Sequence, residues 1–335
     1  MFRPPVTISI AFVRGMLSGV RACGHSRESF LADAGISSEL IEQSGARVTA
    51  AQYTLLFRIL IDRLEDEGLG FFSRSLKPGS FALVVRSALG APTLDTAMLR
   101  IARTFGLLQD DVALQPLRQG ELAGLALRFV GSSVAAPPFF HELLLRTFWR
   151  SMAWLAGGQL RALRFDFAFE WPSYAANYDK IFPAPLFFEQ QLSAFWFDSA
   201  RLQGPVLRDE ASLRTFLEDA PANIILPRLG GEAVTVRVLS HLRQTQPEWP
   251  DLVGTAEALH MSMSTLQRHL AIEGTSFQLL KDELRRDIAI VRLNTSMVSL
   301  AELANELGFA DGAAFQRAFK SWTGSAPGTY RRGRG

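Results

Sequence analysis

The chain of 335 residues is 48% hydrophobic and carries a formal net charge of only +2 at pH 7. Such a length predicts two or three domains, and the apolar content excludes a largely disordered protein. Cys23 is the single cysteine, which excludes an intramolecular disulfide framework, and no apolar run approaches the roughly 20 residues that span a bilayer. We therefore expect a cytoplasmic globular protein that uses no metal and no cofactor and has no membrane partner.

The first predicted region, residues 1–75, is helical. Apolar residues recur three and four positions apart over residues 55–64, which is the spacing of one helix face. Gly35 and Gly45 indicate breaks between short helices.

Residues 76–225 are expected to form a mixed α/β region. Residues 122–130 and 164–171 alternate in a way typical of half-buried strands, and residues 141–155 have the heavy apolar face of a packed helix.

A domain boundary is predicted within residues 221–231, which contain two prolines and a Gly-Gly pair. The composition also changes near this point, since 21 of the 25 phenylalanines precede residue 220. We expect residues 226–233 to be a linker and residues 234–332 to form an all-helical domain.

The C-terminal region contains an internal repeat. Both copies have a short helix with a small alanine, a turn, an apolar residue followed by Gln-Arg, and a closing glycine. Such a repeat predicts two helix-turn-helix units, at about residues 251–273 and 299–323. The matched positions are Thr255–Leu259 with Leu303–Leu307, Leu266–Arg268 with Phe315–Arg317, and Gly274 with Gly324.

One long helix is predicted between the copies, from Phe277 to about Asn294, with a length of roughly 27 Å. The second helix of a helix-turn-helix unit fits the DNA major groove, where arginine can bind guanine and glutamine can bind adenine. A rod of this length could hold two such helices about one DNA turn, roughly 34 Å, apart. The sequence therefore predicts that one chain contacts two consecutive major-groove segments of double-stranded DNA.

The second copy has a specific resemblance. Leu300–Asp311, Phe315–Gly324, Pro327 and Tyr330–Arg331 resemble the signature of the AraC/XylS family of bacterial transcription regulators, in a match that spans about residues 234–332. The resemblance implies a sequence-specific DNA-binding regulator with RNA polymerase as a partner.

The N-terminal part is similar to the arabinose-binding-type sensor domain of one branch of that family, on the stretches Gly79–Leu83, His141–Leu143 and Tyr174–Tyr178. This similarity implies a small-molecule effector and a homodimer formed through the N-terminal domain. The expected fold is multidomain α+β, with an N-terminal helical plus mixed α/β sensor domain and a C-terminal all-α tandem helix-turn-helix domain joined by a long linker helix.

The resemblance also assigns roles to residues of the two recognition helices. Leu266, Leu270, Phe315, Phe319 and Trp322 are expected to point inward. The residues expected to face DNA are Ser264, Thr265, Gln267 and Arg268 in the first helix, and Gly312, Ala313, Gln316, Arg317 and Lys320 in the second, with Lys320 nearer a phosphate.

Two positions depart from the family pattern. His260 stands where the first turn usually has glycine, so that turn is expected to be strained or differently shaped. Residues 312–314 offer only small side chains, so the second helix is expected to contribute backbone fit and thymine-methyl contacts more than hydrogen bonds.

Candidate ligand-binding residues in the sensor region are Arg86, Arg100, His141, Trp149 and Trp196. Small-molecule pockets are mostly apolar with a few placed polar groups, and an arginine in such a pocket would suit an anionic ligand such as an organic or fatty acid. The same residues also fit a purely structural role, with the aromatic rings in the core and the arginines on the surface.

Two other functions compete with an effector-responsive regulator. One is a ligand-independent or architectural DNA-binding protein, for which a broader positive charge excess would be expected. The other is a DNA-repair-type enzyme fused to a similar DNA reader. That chemistry requires an activated thiol and often further cysteine ligands for zinc, but Cys23 has no second cysteine. We therefore expect no catalytic residues and no enzyme activity.

Overall fold

The structure is a computed structural model that describes residues 7–22, 26–130, 136–175, 178–218, 220–225 and 234–331. The α-helices are α1 (Ile10–Ala22), α2 (Arg27–Asp33), α3 (Ala50–Leu64), α4 (Ser80–Ala88), α5 (Leu94–Leu108), α6 (Pro138–Leu155), α7 (Tyr178–Ile181), α8 (Glu210–Glu218), α9 (Ala220–Ile225), α10 (Val234–Gln244), α11 (Leu252–Ala258), α12 (Met263–Ile272), α13 (Phe277–Thr295), α14 (Leu300–Glu306) and α15 (Gly312–Thr323). The strands are β1 (Thr7–Ser9), β2 (Arg47–Thr49), β3 (Val112–Gln119), β4 (Leu122–Phe129), β5 (Arg164–Asp166), β6 (Leu186–Phe187) and β7 (Ser193–Asp198), and 3-10 helices lie at Ser38–Glu42, Arg201–Gln203 and Pro327–Tyr330.

The chain divides into two compact units. The helical unit combines residues 1–10, 35–53 and 228–335, and the sheet unit combines residues 11–34 and 54–227. The region predicted to be helical, residues 1–75, contains α1, α2 and α3 together with the short strands β1 and β2, and its parts are shared between the two units. The expected linker at 226–233 lies outside the described residues, as do Cys23 and the arginines at 332 and 334.

The sheet unit is built on a five-stranded sheet in the order β3-β4-β7-β5-β6, in which only β5 and β6 run parallel. Gly120 makes the tight β3–β4 turn with φ +57°, a left-handed conformation that glycine adopts without steric cost. Strand β4 agrees with the predicted strand at 122–130, whereas the strand predicted at 164–171 is confined to residues 164–166.

Helix α6 forms the centre of the sheet unit's core. Pro138 occupies its first turn, where the missing N–H costs nothing, and fourteen of its eighteen residues are buried. A helix that is buried on nearly every side must be covered by several other elements. Trp149 of α6 meets Phe165 of β5 edge to face at 5.2 Å, and Phe148 meets Phe105 of α5 at 5.1 Å.

The helical unit contains α10 to α15 around an aliphatic core. Val238, Leu242, Leu266, Leu270 and Leu280 are each 2% exposed or less. The helix-turn-helix pair α11–α12 precedes α13 in the chain and the pair α14–α15 follows it, and α13 agrees with the long helix predicted from Phe277. The predicted multidomain fold, mixed α/β before an all-helical C-terminal region, is confirmed. No helix in the described ranges combines the length and the hydropathy needed to cross a bilayer.

Candidate DNA-binding interface

Helix α12 of the first helix-turn-helix unit presents a polar face. Ser262 caps the helix by accepting a hydrogen bond from the N–H of Thr265 at 3.2 Å, which satisfies one of the free amides of the first turn. Gln267 and Arg268 are exposed and Thr265 is half-buried, as expected for residues available to a ligand. Ser264 is also exposed, and its hydroxyl lies 3.1 Å from that of Ser262.

Helix α15 repeats this arrangement in the second unit. Asp311 caps it by accepting a hydrogen bond from the N–H of Ala314 at 2.6 Å, and Gly324 ends it with φ +75°. Gly312 is half-buried, whereas the other four predicted contact residues are exposed: Ala313, Gln316, Arg317 and Lys320. The helix therefore places small residues at its first turn and Gln-Arg on the next one.

The inward residues of both helices are those that the sequence indicated. Leu266, Leu270, Phe315 and Phe319 each have no exposed surface. Trp322 is half-buried, and its ring lies 5.9 Å from that of Phe309. In each unit the apolar residue before Gln-Arg anchors the helix, and this anchoring turns the Gln-Arg pair outward.

The two turns that precede these helices have similar backbones made from different residues. His260 has φ +57° and Gly308 has φ +70°, both in the left-handed region. The N–H groups of the next residues bond back to the preceding helix, Met261 to Ala256 at 2.9 Å and Phe309 to Ala304 at 2.9 Å. The expected strain at His260 is present, because a non-glycine residue adopts a conformation that disfavours a Cβ.

A stack of side chains holds the second turn against α13. The Arg285 guanidinium lies 5.0 Å from the ring centroids of both Trp249 and Phe309, so it sits against two aromatic faces. The Trp249 indole N–H donates to the carbonyl of Glu306 at 2.9 Å. Burial in this stack lowers the pKa of Arg285, which nevertheless stays protonated at any physiological pH.

An ion pair joins α13 to α14. The Arg292 guanidinium makes two hydrogen bonds to the Glu306 carboxylate, at 2.6 and 2.9 Å. Together with the Trp249 stack, this pair fixes α14 against the long helix. The position of the second helix-turn-helix unit is thus set partly by contacts with α13.

Segments from the start of the chain also contact α13. Local sequence patterns did not predict these contacts. Strands β1 and β2 form an antiparallel ribbon, and the Thr7 hydroxyl donates to Asp287 of α13 at 2.6 Å. The Arg47 guanidinium donates to the Thr7 hydroxyl at 2.6 Å, and the Gln52 amide donates to Asn294 at 2.9 Å. Burial, followed by the charge of Arg286, lowers the pKa of Arg47 to about 10.

The same ribbon reaches the end of the second helix-turn-helix unit. The backbone N–H of Arg47 donates a hydrogen bond to the Tyr330 hydroxyl at 3.1 Å. A Cβ at Gly45 would lie 3.1 Å from the backbone of Thr323, so the two backbones are in close contact there. These partners are more than 270 positions apart in sequence, so no periodicity or motif could have indicated them.

The two arginines among the proposed ligand-binding residues of the sheet unit lie at its surface. Arg86 is exposed and pairs with Glu210 at 2.7 Å. Arg100 is also exposed, and its guanidinium contacts the carbonyl of Leu89 at 3.4 Å.

The other three proposed residues are buried in separate places. His141 lies 2.8 Å from the Ser193 hydroxyl, and burial lowers its pKa to about 4, so it is neutral at pH 7. The Trp196 indole donates to Asp166 at 2.7 Å. Trp149 packs in the core described above, so the structure does not gather the five residues around one space.

Glu142, next to His141, is a buried carboxyl that sequence reasoning missed. Tyr174 and Tyr178 both donate hydrogen bonds to its Oε1 atom, the first at 2.8 Å, and its Oε2 atom has no hydrogen-bond partner among the described residues. Burial raises the pKa of Glu142 to about 7, against the lowering effect of the two tyrosine hydrogen bonds. The carboxyl is therefore partly protonated at neutral pH.

The sheet unit also contains a cavity of about 300 Å³, bounded by α3, α4, α5, α6, α8, α9 and the segment 67–76. None of the five proposed ligand-binding residues lines it. Its walls are mainly phenylalanine and leucine side chains, a composition that resembles the core and therefore gave no separate signal in the sequence.

Two tandem helix-turn-helix units with outward-facing polar helices define a DNA-binding protein of the regulatory type. A domain model described as the arabinose-binding domain of AraC transcription regulators, N-terminal, matches residues 24–206, and a helix-turn-helix domain model matches residues 255–333. The first match alone covers more than half of the chain. The protein belongs to the AraC family and is a DNA-binding transcription regulator with an arabinose-binding-type N-terminal domain.

Similar proteins carry names of the same kind. The ornithine utilization regulator of Pseudomonas aeruginosa is 26% identical over 328 residues, which are 97% of this chain and 96% of that protein. The HTH-type transcriptional regulator VqsM of the same species is 33% identical over 95 residues, 28% of this chain and 29% of that protein. The crystal structure of the transcriptional regulator CdpR from Pseudomonas aeruginosa covers 98% of this chain and 99% of its own, with 18% identity and a TM-score of 0.32. The family assignment rests on the domain models and not on this last likeness.

Proposed function

We propose that the chain regulates transcription by reading two adjacent major-groove segments of double-stranded DNA with α12 and α15. The observation that carries this proposal is the exposed Gln-Arg pair in both helices, each fixed by a buried apolar residue beside it. Arg268 and Arg317 would bind guanine edges, and Gln267 and Gln316 would bind adenine edges. Ser264 and Thr265 would contact the first segment.

The remaining residues of α15 have other proposed roles. Gly312 and Ala313 would allow close approach of the backbone and contact thymine methyl groups, because neither side chain can donate a hydrogen bond. Lys320 lies one turn further along the exposed face and would contact a phosphate. We assign the DNA-binding domain to residues 234–332 and the sensor domain to residues 76–225 with helical parts of the preceding chain.

We further propose a small-molecule effector that binds the sheet unit, a homodimer formed through that unit, and RNA polymerase as the partner at promoters. These are non-enzymatic roles, carried out in the cytoplasm where bacterial chromosomal DNA lies. Similarity along almost the whole chain to a regulator named for ornithine utilization makes ornithine one compound to test as an effector.

The test is a selection of binding sites from random duplex DNA by the full chain, followed by binding titrations at fixed salt. Arg268→Ala with Arg317→Ala should weaken binding to the selected site by about 2–6 kcal/mol, since each good arginine–guanine pair contributes about 1–3 kcal/mol. Arg103→Ala, which removes one exposed arginine from α5, is the matched control and should leave the affinity unchanged.

Two results would contradict the proposal. If the selection recovers no preferred sequence, the chain is an architectural DNA-binding protein, which binds through phosphates and DNA shape. If the double variant binds the selected site as tightly as the Arg103→Ala control, recognition does not use these helices.

A further inference from the structure

The cavity of the sheet unit is a partly open aromatic space lined by one charged side chain, Glu67. Phe72 and Phe140 meet edge to face at 5.0 Å, and Phe72 lies 6.1 Å from Phe105, so three of its walls form one aromatic cluster. Its volume of about 300 Å³ falls at the lower end of the range of small-molecule sites. An apolar ligand or an apolar part of a ligand would fit such walls.

Two polar side chains, Glu67 and Thr147, occur among the lining residues that the structure describes. The Thr147 hydroxyl donates its proton to the carbonyl of Leu143 at 2.8 Å, which leaves it without a free donor. Glu67 therefore determines which polar group a ligand can place in the cavity.

The Glu67 carboxylate is held firmly at the beginning of α4. One oxygen accepts a hydrogen bond from the N–H of Gly79 at 2.8 Å, and the other accepts one from the N–H of Phe81 at 2.7 Å. A carboxylate has about four acceptor positions, so each oxygen can accept one more hydrogen bond. Because Glu67 is half-buried, burial raises its pKa in spite of the two backbone hydrogen bonds.

A ligand anion finds no matching group in this cavity. No lining residue within the described ranges carries a positive charge, and Arg86 of α4 is committed to Glu210 outside it. A ligand carboxylate bound in the cavity would lose its hydration and find no cation as a partner. It would also lie close to the negative charge of Glu67. A protonated amine would instead gain a charge-assisted hydrogen bond.

We propose that the cavity binds an amphiphilic amine, a molecule with an apolar body among the phenylalanines and an ammonium group on Glu67. This inference rests on the proposed effector response and names the ligand class for it. It replaces the anionic ligand that the sequence suggested, because that idea depended on arginines that lie at the surface.

The cavity also suggests how a ligand would influence the rest of the chain. Leu217 of α8 and Ala220, Pro221 and Ile224 of α9 line it. Helix α9 is the last described element of the sheet unit, and the chain leaves it for α10 after Ile225. A ligand that binds better when α9 is in place would stabilise that arrangement, because a ligand shifts an equilibrium only by its different affinity for the two states.

The test measures binding of three probes with the same chain length, octylamine, octanol and octanoate, to the full chain by calorimetry. Octylamine should bind most tightly and octanoate most weakly. Glu67→Gln should weaken octylamine binding by about tenfold or more, the value of a charge-assisted hydrogen bond, and change octanol binding much less. Glu65→Gln, a neighbouring exposed carboxylate, is the matched control and should change neither.

A second variant covers the case in which Glu67→Gln loosens α4. Ala220→Phe fills the cavity from α9 and should abolish binding of all three probes, while circular dichroism shows whether the fold is kept. Octanoate binding as tightly as octylamine, unchanged octylamine affinity in Glu67→Gln, or no binding of any probe would overturn the proposal. DNA binding measured on the same samples separates this from failure of the proposed function, since DNA binding does not depend on the ligand class.

Discussion

The two helix-turn-helix units perform the same task with unequal construction. In the first, the turn is made by His260 in a left-handed conformation, and its side chain is exposed. In the second, Gly308 makes the turn, and Trp249 and Arg285 lie directly against it. The second turn therefore has aromatic and guanidinium groups where a Cβ would go. At the first turn the His260 side chain is exposed, and the neighbouring contact is a hydrogen bond from Arg237 to the carbonyl of Leu259 at 3.0 Å.

The repeat preserves the exposed face and the apolar anchor, while the turn differs with its surroundings. Both units keep an apolar anchor before Gln-Arg, Leu266 in one and Phe315 in the other. At the second turn a Cβ would meet the Trp249 ring and the Arg285 guanidinium, which accounts for the glycine there.

The largest effect on stability is expected at the second turn. A Cβ at Gly308 would lie 2.7 Å from the Trp249 ring and 3.1 Å from the Arg285 guanidinium. Gly308→Ala should lower the free energy of unfolding by about 3 kcal/mol, since left-handed strain and overpacking add. Urea unfolding of the full chain measures this loss.

The matched control for that variant is His260→Ala at the equivalent turn. His260 already has a Cβ on a left-handed backbone, so we expect almost no change in the free energy of unfolding. Equal losses at the two turns would show that the Trp249 contact does not distinguish them.

The next effect concerns DNA recognition. Arg268→Ala should weaken DNA binding by about 1–3 kcal/mol and relax one base position, because it removes the side chain proposed to bind one guanine. In the second helix, Ala313→Leu should weaken binding at every base of the DNA segment that α15 contacts, because the larger side chain keeps the helix backbone away from the bases. Binding titrations against single-base variants of the selected site distinguish the two patterns. Identical base profiles for both variants would contradict different modes of recognition.

Much of this interface could be predicted from the sequence because its information is local. The apolar anchor, the Gln-Arg pair and the closing glycine recur in each short unit, so comparison of the two copies was enough to find them. The departure at His260 was also visible, since a non-glycine residue stood at a turn position.

The parts that sequence reasoning missed depend on distant contacts. Thr7 and Asp287 meet across 280 positions, and no pattern near either residue indicates the other. The cavity was missed for another reason: its phenylalanines have the same spacing as ordinary core residues, and Glu67 resembles a surface carboxylate until α4 is placed beside it.

A smaller effect is expected where the β1–β2 ribbon meets the long helix. Thr7→Val keeps the side-chain shape but removes the hydroxyl that joins Arg47 to Asp287. Asp287 and Arg47 each lose one hydrogen-bond partner, which should lower the free energy of unfolding by about 1 kcal/mol. Hydrogen exchange should become faster in α13 and α15, with α12 unchanged, because the described bonds of the ribbon run to α13 and Tyr330.

The control for this variant is Thr275→Val, which makes the same change between α12 and α13, away from the ribbon. It should leave exchange in α15 unaltered. Faster exchange in α12 and α15 alike after Thr7→Val would mean that the ribbon stabilises the whole helical unit and not its second half.

The smallest effect should be a gain in stability at the first turn. His260→Gly removes the Cβ from a residue with φ +57°, which relieves about 1–2 kcal/mol of left-handed strain but costs about 0.5–1 kcal/mol of glycine's extra freedom in the unfolded chain. A net increase of about 0.5 kcal/mol in the free energy of unfolding is expected. His260→Ala keeps the Cβ and should show no gain, so the difference between the two variants isolates the backbone contribution. Equal stability of both variants would mean that the first turn is not strained. The difference between the two turns would then reflect only the contact of Trp249 with the second turn.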